Sequence, residues 1–436
     1  MTTEGAEDLA LTPPTDTAVV PVAHATTFLR TLGPGLVTGA ADDDPSGIAT
    51  YSQVGAQFGY GLAWIMLFSF PLMAVFQAVC ARIGAVTGAG IAHNLRRHYS
   101  IWLLRAVVLL LLIANVINVG ADLGAMGAAA KLLIGGSGLL YTVLFGIACI
   151  LLETFLSYAR YAQVLKWLTL SLFAYVAVAF AAHVPWGTAL YHTLVPQLAF
   201  DNPHATALVA VLGTTISPYL FFWQSSQEVE EGRRRHVRPL RLEPRGAGFE
   251  LKRIRTDTVI GMGISNLIAL FIILATAATL NASGVTDIQT SSQAAEALRP
   301  IAGPFTFYVF AAGIVGTGLL AVPVLAGSAA YAVAEVFQWQ GSLDSRPRQA
   351  RAFYGTIAAA TLGGVALNFS ALDPIKALYW AAVVNGVLAA PLMAVIMLIA
   401  NNPRIMGRLV LPRAMRLVGW LATAVMAAAT VGFFVV

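Results

Sequence analysis

The sequence predicts an all-α integral membrane protein of about eleven transmembrane helices, with two groups of five forming an inverted repeat and one helix added at the C-terminal end. Three observations carry this. Of the 436 residues, 58% are hydrophobic and only 11% charged, against roughly 25% charged in soluble domains. A bilayer core of roughly 30 Å takes about 20 apolar residues as a helix. Eleven such stretches begin near Leu32, Leu62, Leu103, Leu139, Leu168, Leu208, Val259, Phe305, Ala352, Ile375 and Leu417. The first and the sixth are each interrupted by helix-breaking residues, and the sixth opens the second group of five.

Taken in order, residues 1–28 are polar and proline-bearing without a signal-type apolar core, and read as a flexible cytoplasmic tail with no cleavable signal. Residues 29–400 form the ten-helix core, with repeat one over about 32–185 and repeat two over about 206–400, and 401–436 hold the eleventh helix. Cys80 in span two and Cys149 in span four have no paired spacing and read as small buried hydrophobes. Glu153 and Arg160, near the inner end of span four, read as interfacial anchors. The glycines of spans seven and eight, Gly261, Gly263, Gly313, Gly316 and Gly318 among them, mark close helix packing. In span ten, Asn385 either reaches a site in the opposite half or makes an interhelical hydrogen bond.

Lys and Arg are retained on the cytoplasmic side of short loops. With the N-terminus inside, all but Lys131, Arg299 and Lys376 of the 26 basic residues fall on the inner side, and an odd number of spans puts the C-terminus outside. The densest cluster, "EEGRRRHVRPLRLEPRGAGFELKRIR" over 230–255, reads as a solvated loop that sets topology, with contact to anionic lipid as its second reading.

The two interruptions are Asp44-Pro45-Ser46-Gly47 and Gly213-Thr214-Thr215-Ile216-Ser217-Pro218. Proline removes a backbone donor and glycine relaxes the chain, so both segments should unwind. Unwound backbone survives at membrane depth only where it is buried in protein or lines a cavity. Paired breaks in matching positions of two halves point to a secondary transporter whose substrate sits where the half-helices meet. An acid at the bilayer centre costs at least about 2.5–3.5 kcal/mol, which makes Asp44 a functional candidate. Asp42, Asp43 and Asp44 would point about 100° apart on a helix, so Asp44 is taken as the ligand and Asp42 or Asp43 as part of the access path. No Lys or Arg lies within the membrane nearby, which argues for a cationic substrate.

The stretch from Gly33 to Trp64, "GPGLVTGAADDDPSGIATYSQVGAQFGYGLAW", resembles the first helix of the Nramp family of divalent metal transporters. Asp44, Pro45, Ala49, Thr50 and Gln53 match its Asp-Pro break and the Ala-Thr and glutamine that follow. "LGTTISPYLFFWQSSQ" is similar to the family's sixth-helix segment, with Pro218 retained, and "GADLGAMG" around Asp122 resembles part of its third helix. The resemblance implies a LeuT-type fold with discontinuous helices one and six.

Against the family pattern, its asparagine falls on Gly47, its methionine on Ser217, its histidine after proline on Tyr219 and a third-helix glutamate on Ala125. Loss of the thioether removes the soft ligand that favours transition metals. The remaining set of Asp44, Ser217, carbonyls near Thr214 and retained waters is all oxygen and suits a hard ion such as Mg²⁺. The pattern looks like the Nramp-related magnesium transporter branch, with Mn²⁺ still open. Of the family's proton carriers only Asp44 and Asp122 remain, so proton coupling should be weak or absent. Asp122, Gln224 and Tyr219 are candidates for the proton or access path, Gln224 either lining it or capping a helix.

The expected function is alternating-access transport of Mg²⁺ or Mn²⁺ across the inner membrane. The partners expected are divalent metal ions and the lipid bilayer, with no nucleic acid, no cofactor and a monomeric state. Alternatives are a proton-coupled Mn²⁺/Fe²⁺ transporter of ordinary Nramp type, a carrier of amino acids or other organic solutes on the same fold, and a channel or sensor that binds metal without cycling. No nucleotide-binding loop, Ser/His/Asp set or cysteine cluster occurs, which argues against an enzyme or an ATP-driven pump.

Overall fold

A computed structural model describes residues 33–155, 169–199, 201–339, 341–343, 345–370 and 373–435. The expected tail over 1–28 and Arg160 lie outside the described residues. Among the described residues every regular element is helical. The bundle is built from α1 (Pro34–Asp42), α2 (Pro45–Phe58), α3 (Trp64–Thr87), α4 (Ile101–Ile134), α5 (Gly138–Phe155), α6 (Phe173–Ala181), α7 (Asn202–Thr215) and α8 (Pro218–Arg234). It continues with α9 (Ala247–Thr279), α10 (Thr306–Phe337), α11 (Arg351–Leu367), α12 (Pro374–Ala400) and α13 (Arg413–Val435).

Eight helical stretches among the described residues are long and apolar enough to cross a membrane. The first helix is split into halves of 9 and 14 residues, the ninth has 17, and the fifth is described over Thr169–Leu172 and Phe173–Ala181. These three complete the eleven positions read from the sequence.

The packing has the symmetry of two crossed repeats. Helix one (α1, α2) lies against α9, the seventh helix, and α8 of helix six lies against α3, the second. Exchanging the halves turns one pair into the other, and it maps the close pair of third and eighth helices, α4 and α10, onto itself. This is the LeuT-type arrangement with one helix added: α13 packs on the outside of α12 and α3.

The charged stretch over 230–255 is largely exposed, as read, but differs from its reading as a loop. α8 continues to Arg234 and α9 begins at Ala247, well before Val259, so most of the cluster is helical. Glu, Lys and Arg are good helix formers, and several of these charges also pair with one another. Glu153 also differs, because it is only 3% exposed and neither carboxylate oxygen has a hydrogen-bond partner among the described residues. It is an interior acid, not an interfacial anchor. Cys80 and Cys149 are fully buried and free, as read.

The contact of α1 with α9 depends on missing side chains. A Cβ on Gly39 would stand 2.3 Å from the carbonyl of Gly261, and one on Gly261 would stand 2.2 Å from the carbonyl oxygen of Gly35. Gly39→Ala is therefore expected to cost about 1–3 kcal/mol through overpacking, read as a lower unfolding temperature in detergent. Gly263→Ala is the matched control, since its Cβ would meet Phe70 at an ordinary 3.5 Å, and it should leave that temperature unchanged.

Candidate metal site

The two breaks are built alike. α1 ends at Asp42, Asp43 leaves helical geometry (φ −82°, ψ 51°), and Asp44 is extended (φ −73°, ψ 170°) before Pro45 opens α2. In the other half Ile216 (φ −119°, ψ 58°) and extended Ser217 (φ −75°, ψ 128°) precede Pro218 at the start of α8. Proline fits the first helical position because its missing N–H would have no partner there. The residue before it is driven to extended backbone, so each X-Pro pair ends one half-helix and starts the next.

Asp44 caps α2, its Oδ1 accepting the Gly47 N–H at 2.6 Å. Its Oδ2 accepts the Tyr219 hydroxyl at 3.1 Å, and the same hydroxyl lies 3.0 Å from the Ala41 carbonyl. Tyr219 on α8 thus ties the second half to the first break. Gly47 closes the same gap from the other side, since a Cβ there would lie 3.2 Å from Thr214 Oγ1 and 3.3 Å from the Asp42 carbonyl. Ser217 donates backwards to the carbonyls of Gly213 and Thr214 at 3.0 and 2.7 Å, which leaves its oxygen lone pairs as acceptors. Ser46 fastens the assembly to α12 by donating to the Leu378 carbonyl at 3.0 Å. The C-terminal ends of α1 and α7 both face these breaks and present partial negative charge, an arrangement that favours a cation.

The three aspartates are all buried, at 1%, 3% and 2% exposure for Asp42, Asp43 and Asp44, yet they do not converge. The single hydroxyl proton of Ser265 on α9 faces both Asp42 Oδ2 at 2.8 Å and Asp43 Oδ1 at 3.0 Å, which holds that pair against α9, whereas Asp44 is held by Gly47 and Tyr219. No group of three or more His, Cys, Asp or Glu side chains among the described residues forms a cluster able to hold a metal. One carboxylate with backbone and hydroxyl oxygens is what the breaks offer.

Asp122 on α4 is fully buried, with both oxygens lacking a hydrogen-bond partner among the described residues, and it lies within electrostatic reach of Asp44. Asn385 pairs reciprocally with Asn118, one turn before Asp122, through bonds of 2.8 and 3.1 Å. Of its two readings, the interhelical bond is the one observed, and both ends of its amide are engaged there. Gln224 lies inside α8 on the seam with α1, hydrogen-bonded to Thr38 and 3.5 Å from Glu228. It therefore caps no helix.

A polar latch beyond Gln224 closes the basic end of this seam. Asp257 on α9 accepts the N–H groups of Gly33, Gly35 and Leu36 at 2.9, 2.7 and 3.2 Å, capping the start of α1. Arg253 bonds Glu228 at 2.7 Å and Glu250 at 3.0 Å, and Arg235 pairs with Glu250 at 2.8 Å. Sequence reading missed Ser265 and Asp257. Their signal was a lone serine in an apolar run and an acid about three turns inside a helix, neither distinctive without its partner.

A family model described as natural resistance-associated macrophage protein-like matches residues 35–436. A divalent metal cation transporter MntH from Klebsiella pneumoniae is 27% identical over 407 residues, covering 91% of this chain and 92% of that protein. One of the same name from Burkholderia ambifaria is 26% identical over 412 residues, covering 91% and 87%. Among solved structures, a manganese transporter from Eremococcus coleocola superposes with a TM-score of 0.72 at 16% identity, covering 94% of this chain and 88% of that one. The inward-facing conformation of Mhp1 gives 0.55 at 14% identity, with 92% and 90% covered. These structural likenesses support the fold.

Proposed function

The chain belongs to the Nramp family, and on that premise we propose that it is a secondary carrier moving divalent metal cations across the inner membrane by alternating access. The observation that carries this reading is Asp44, a buried carboxylate held at the junction of two broken helices whose C-terminal ends face it. The relatives named as divalent metal cation transporters support the cargo class. In this reading the N-terminus lies in the cytoplasm and the C-terminus outside, which the distribution of Lys and Arg supports, and the carrier works as a monomer.

The proposed ligands are the Asp44 carboxylate, the oxygens of Thr214 and the Ser217 hydroxyl, with Gly47 keeping the gap between the breaks narrow. Asn385 is left out because Asn118 occupies its amide. Asp42 and Asp43 belong to the path rather than the site, through Ser265. All these donors are oxygen, and a single carboxylate leaves room for retained water, which favours Mg²⁺ alongside Mn²⁺. Tyr219 in contact with Asp44, in place of an imidazole, favours weak proton coupling. A second reading, Mn²⁺ transport with protons, is favoured by the unpartnered Asp122 within reach of Asp44.

The deciding experiment is uptake of Mg²⁺ and Mn²⁺ into proteoliposomes with internal pH followed in parallel. Magnesium influx without acidification is the expected result, whereas manganese-only influx with acidification selects the second reading. Ser217→Met should raise affinity for Mn²⁺ and Cd²⁺ relative to Mg²⁺ by about tenfold, a difference of ~1.4 kcal/mol, as a thioether replaces a hydroxyl. An unchanged ratio by isothermal titration calorimetry would remove Ser217 from the ligand set.

A further inference from the structure

A cavity of 280 Å³ opens at the basic end of the bundle, between the end of α3 and the starts of α9 and α13, well away from the metal site. Its walls are of two kinds. Arg82, Lys252 and Arg255 supply cations, and Ala78, Leu251 and Met415 supply an apolar face. No carboxylate lines it.

The cations are available for an external anion. Arg82 is held in place by donating Nε to the Leu409 carbonyl at 3.0 Å and Nη2 to the Val410 carbonyl at 3.2 Å, which uses no acid. Lys252 and Arg255 are exposed and form no ion pair among the described residues. The acids of this region are engaged elsewhere, Glu228 and Glu250 by Arg253 and Arg235. Arg413 and Arg416, exposed in the first turn of α13, add to the positive field.

The surroundings are those of a membrane boundary. Phe249, at 70% exposure, and Leu417, at 72%, flank the cavity on α9 and α13 as bare apolar side chains. Basic pockets between transmembrane helices on the cytoplasmic side bind anionic headgroups. A free phosphate would engage the cations alone. The apolar wall beneath them matches the glycerol and first methylenes of a lipid.

We infer that this cavity is a binding site for the phosphate-bearing headgroup of an anionic phospholipid of the inner leaflet. The lipid bridges α13, the helix outside the ten-helix core, to α3 and α9. The test uses the full-length purified protein in neutral detergent, titrated with phosphatidylglycerol, phosphatidylcholine or inorganic phosphate, and reads the rise in unfolding temperature. Phosphatidylglycerol alone should give a saturable rise. Lys252→Gln with Arg255→Gln should weaken it about 30-fold, at roughly one factor of five per surface charge. Arg346→Gln with Arg348→Gln, the same charge change at exposed positions outside the cavity, should leave the titration as in the wild type. Equal weakening in both double variants, weakening in neither, or an equal rise with phosphatidylcholine overturns the site. A wild-type rise with inorganic phosphate equal to that with phosphatidylglycerol overturns the lipid as its occupant.

Discussion

Replacing Asp44 with alanine should abolish metal uptake and weaken binding by at least about 30-fold. Loss of one partner from a buried charge interaction costs about 2–5 kcal/mol, and of the acids near Asp44 none sits on the break between Asp43 and Pro45 itself. Asp42 and Asp43 share the Ser265 hydroxyl, Asp122 stands on α4, and no group of three or more His, Cys, Asp or Glu among the described residues forms a cluster able to hold a metal. Stability should move the other way. An acid at the bilayer centre costs about 2.5–3.5 kcal/mol and the lost cap on the Gly47 N–H about 0.5–2 kcal/mol, so the variant should unfold at the wild-type temperature or slightly above it. Calorimetric titration with Mg²⁺ and Mn²⁺ beside a thermal melt separates loss of the site from loss of the fold. Saturable uptake by a well-folded Asp44→Ala protein would remove Asp44 from the centre of the mechanism.

The second large effect is expected from Asp257→Ala. The Asp257 carboxylate satisfies three backbone N–H groups at the start of α1, donors that a helix cannot satisfy itself. Its removal should cost about 2 kcal/mol, the upper range for a lost helix cap, and the cost falls only on the arrangement in which α1 lies against α9. The balance should therefore shift about 30-fold toward states open at the basic end. Thr38, fully buried between α1 and Gln224, reports on this. A cysteine introduced there should react with a thiol reagent at least tenfold faster in the Asp257→Ala background than alone. Equal rates would show that the latch does not hold this end shut.

Much of the architecture was legible because membrane helices state themselves locally. Apolar length gave nine of the spans and context the first and sixth, and a proline with a glycine in the same short segment gave both breaks. The acid against Pro45 gave the centre of the site, since a carboxylate in an apolar run is itself the anomaly. What was not legible depends on partners far along the chain. Asp257 is 224 residues from Gly33, which it caps, and Asn385 is 267 from Asn118. The charged stretch over 230–255 looked like a loop because its composition does not show that the helices on either side run on into it. Glu153 looked interfacial because it stands near the end of an apolar run, and its burial comes from neighbouring helices that the local sequence does not reveal.

The double reach of the Tyr219 hydroxyl has a consequence for how the site fills. Its proton lies between two acceptors, the Asp44 carboxylate at 3.1 Å and the Ala41 carbonyl at 3.0 Å. When a cation claims the carboxylate, the phenol still has the carbonyl, and a turn of one O–H bond replaces what would otherwise be a stranded donor, a penalty of about 1–3 kcal/mol. Arrival and departure of the ion thus exchange one satisfied hydrogen bond for another. Such a site lets go as readily as it takes hold, and turnover, unlike storage, requires both.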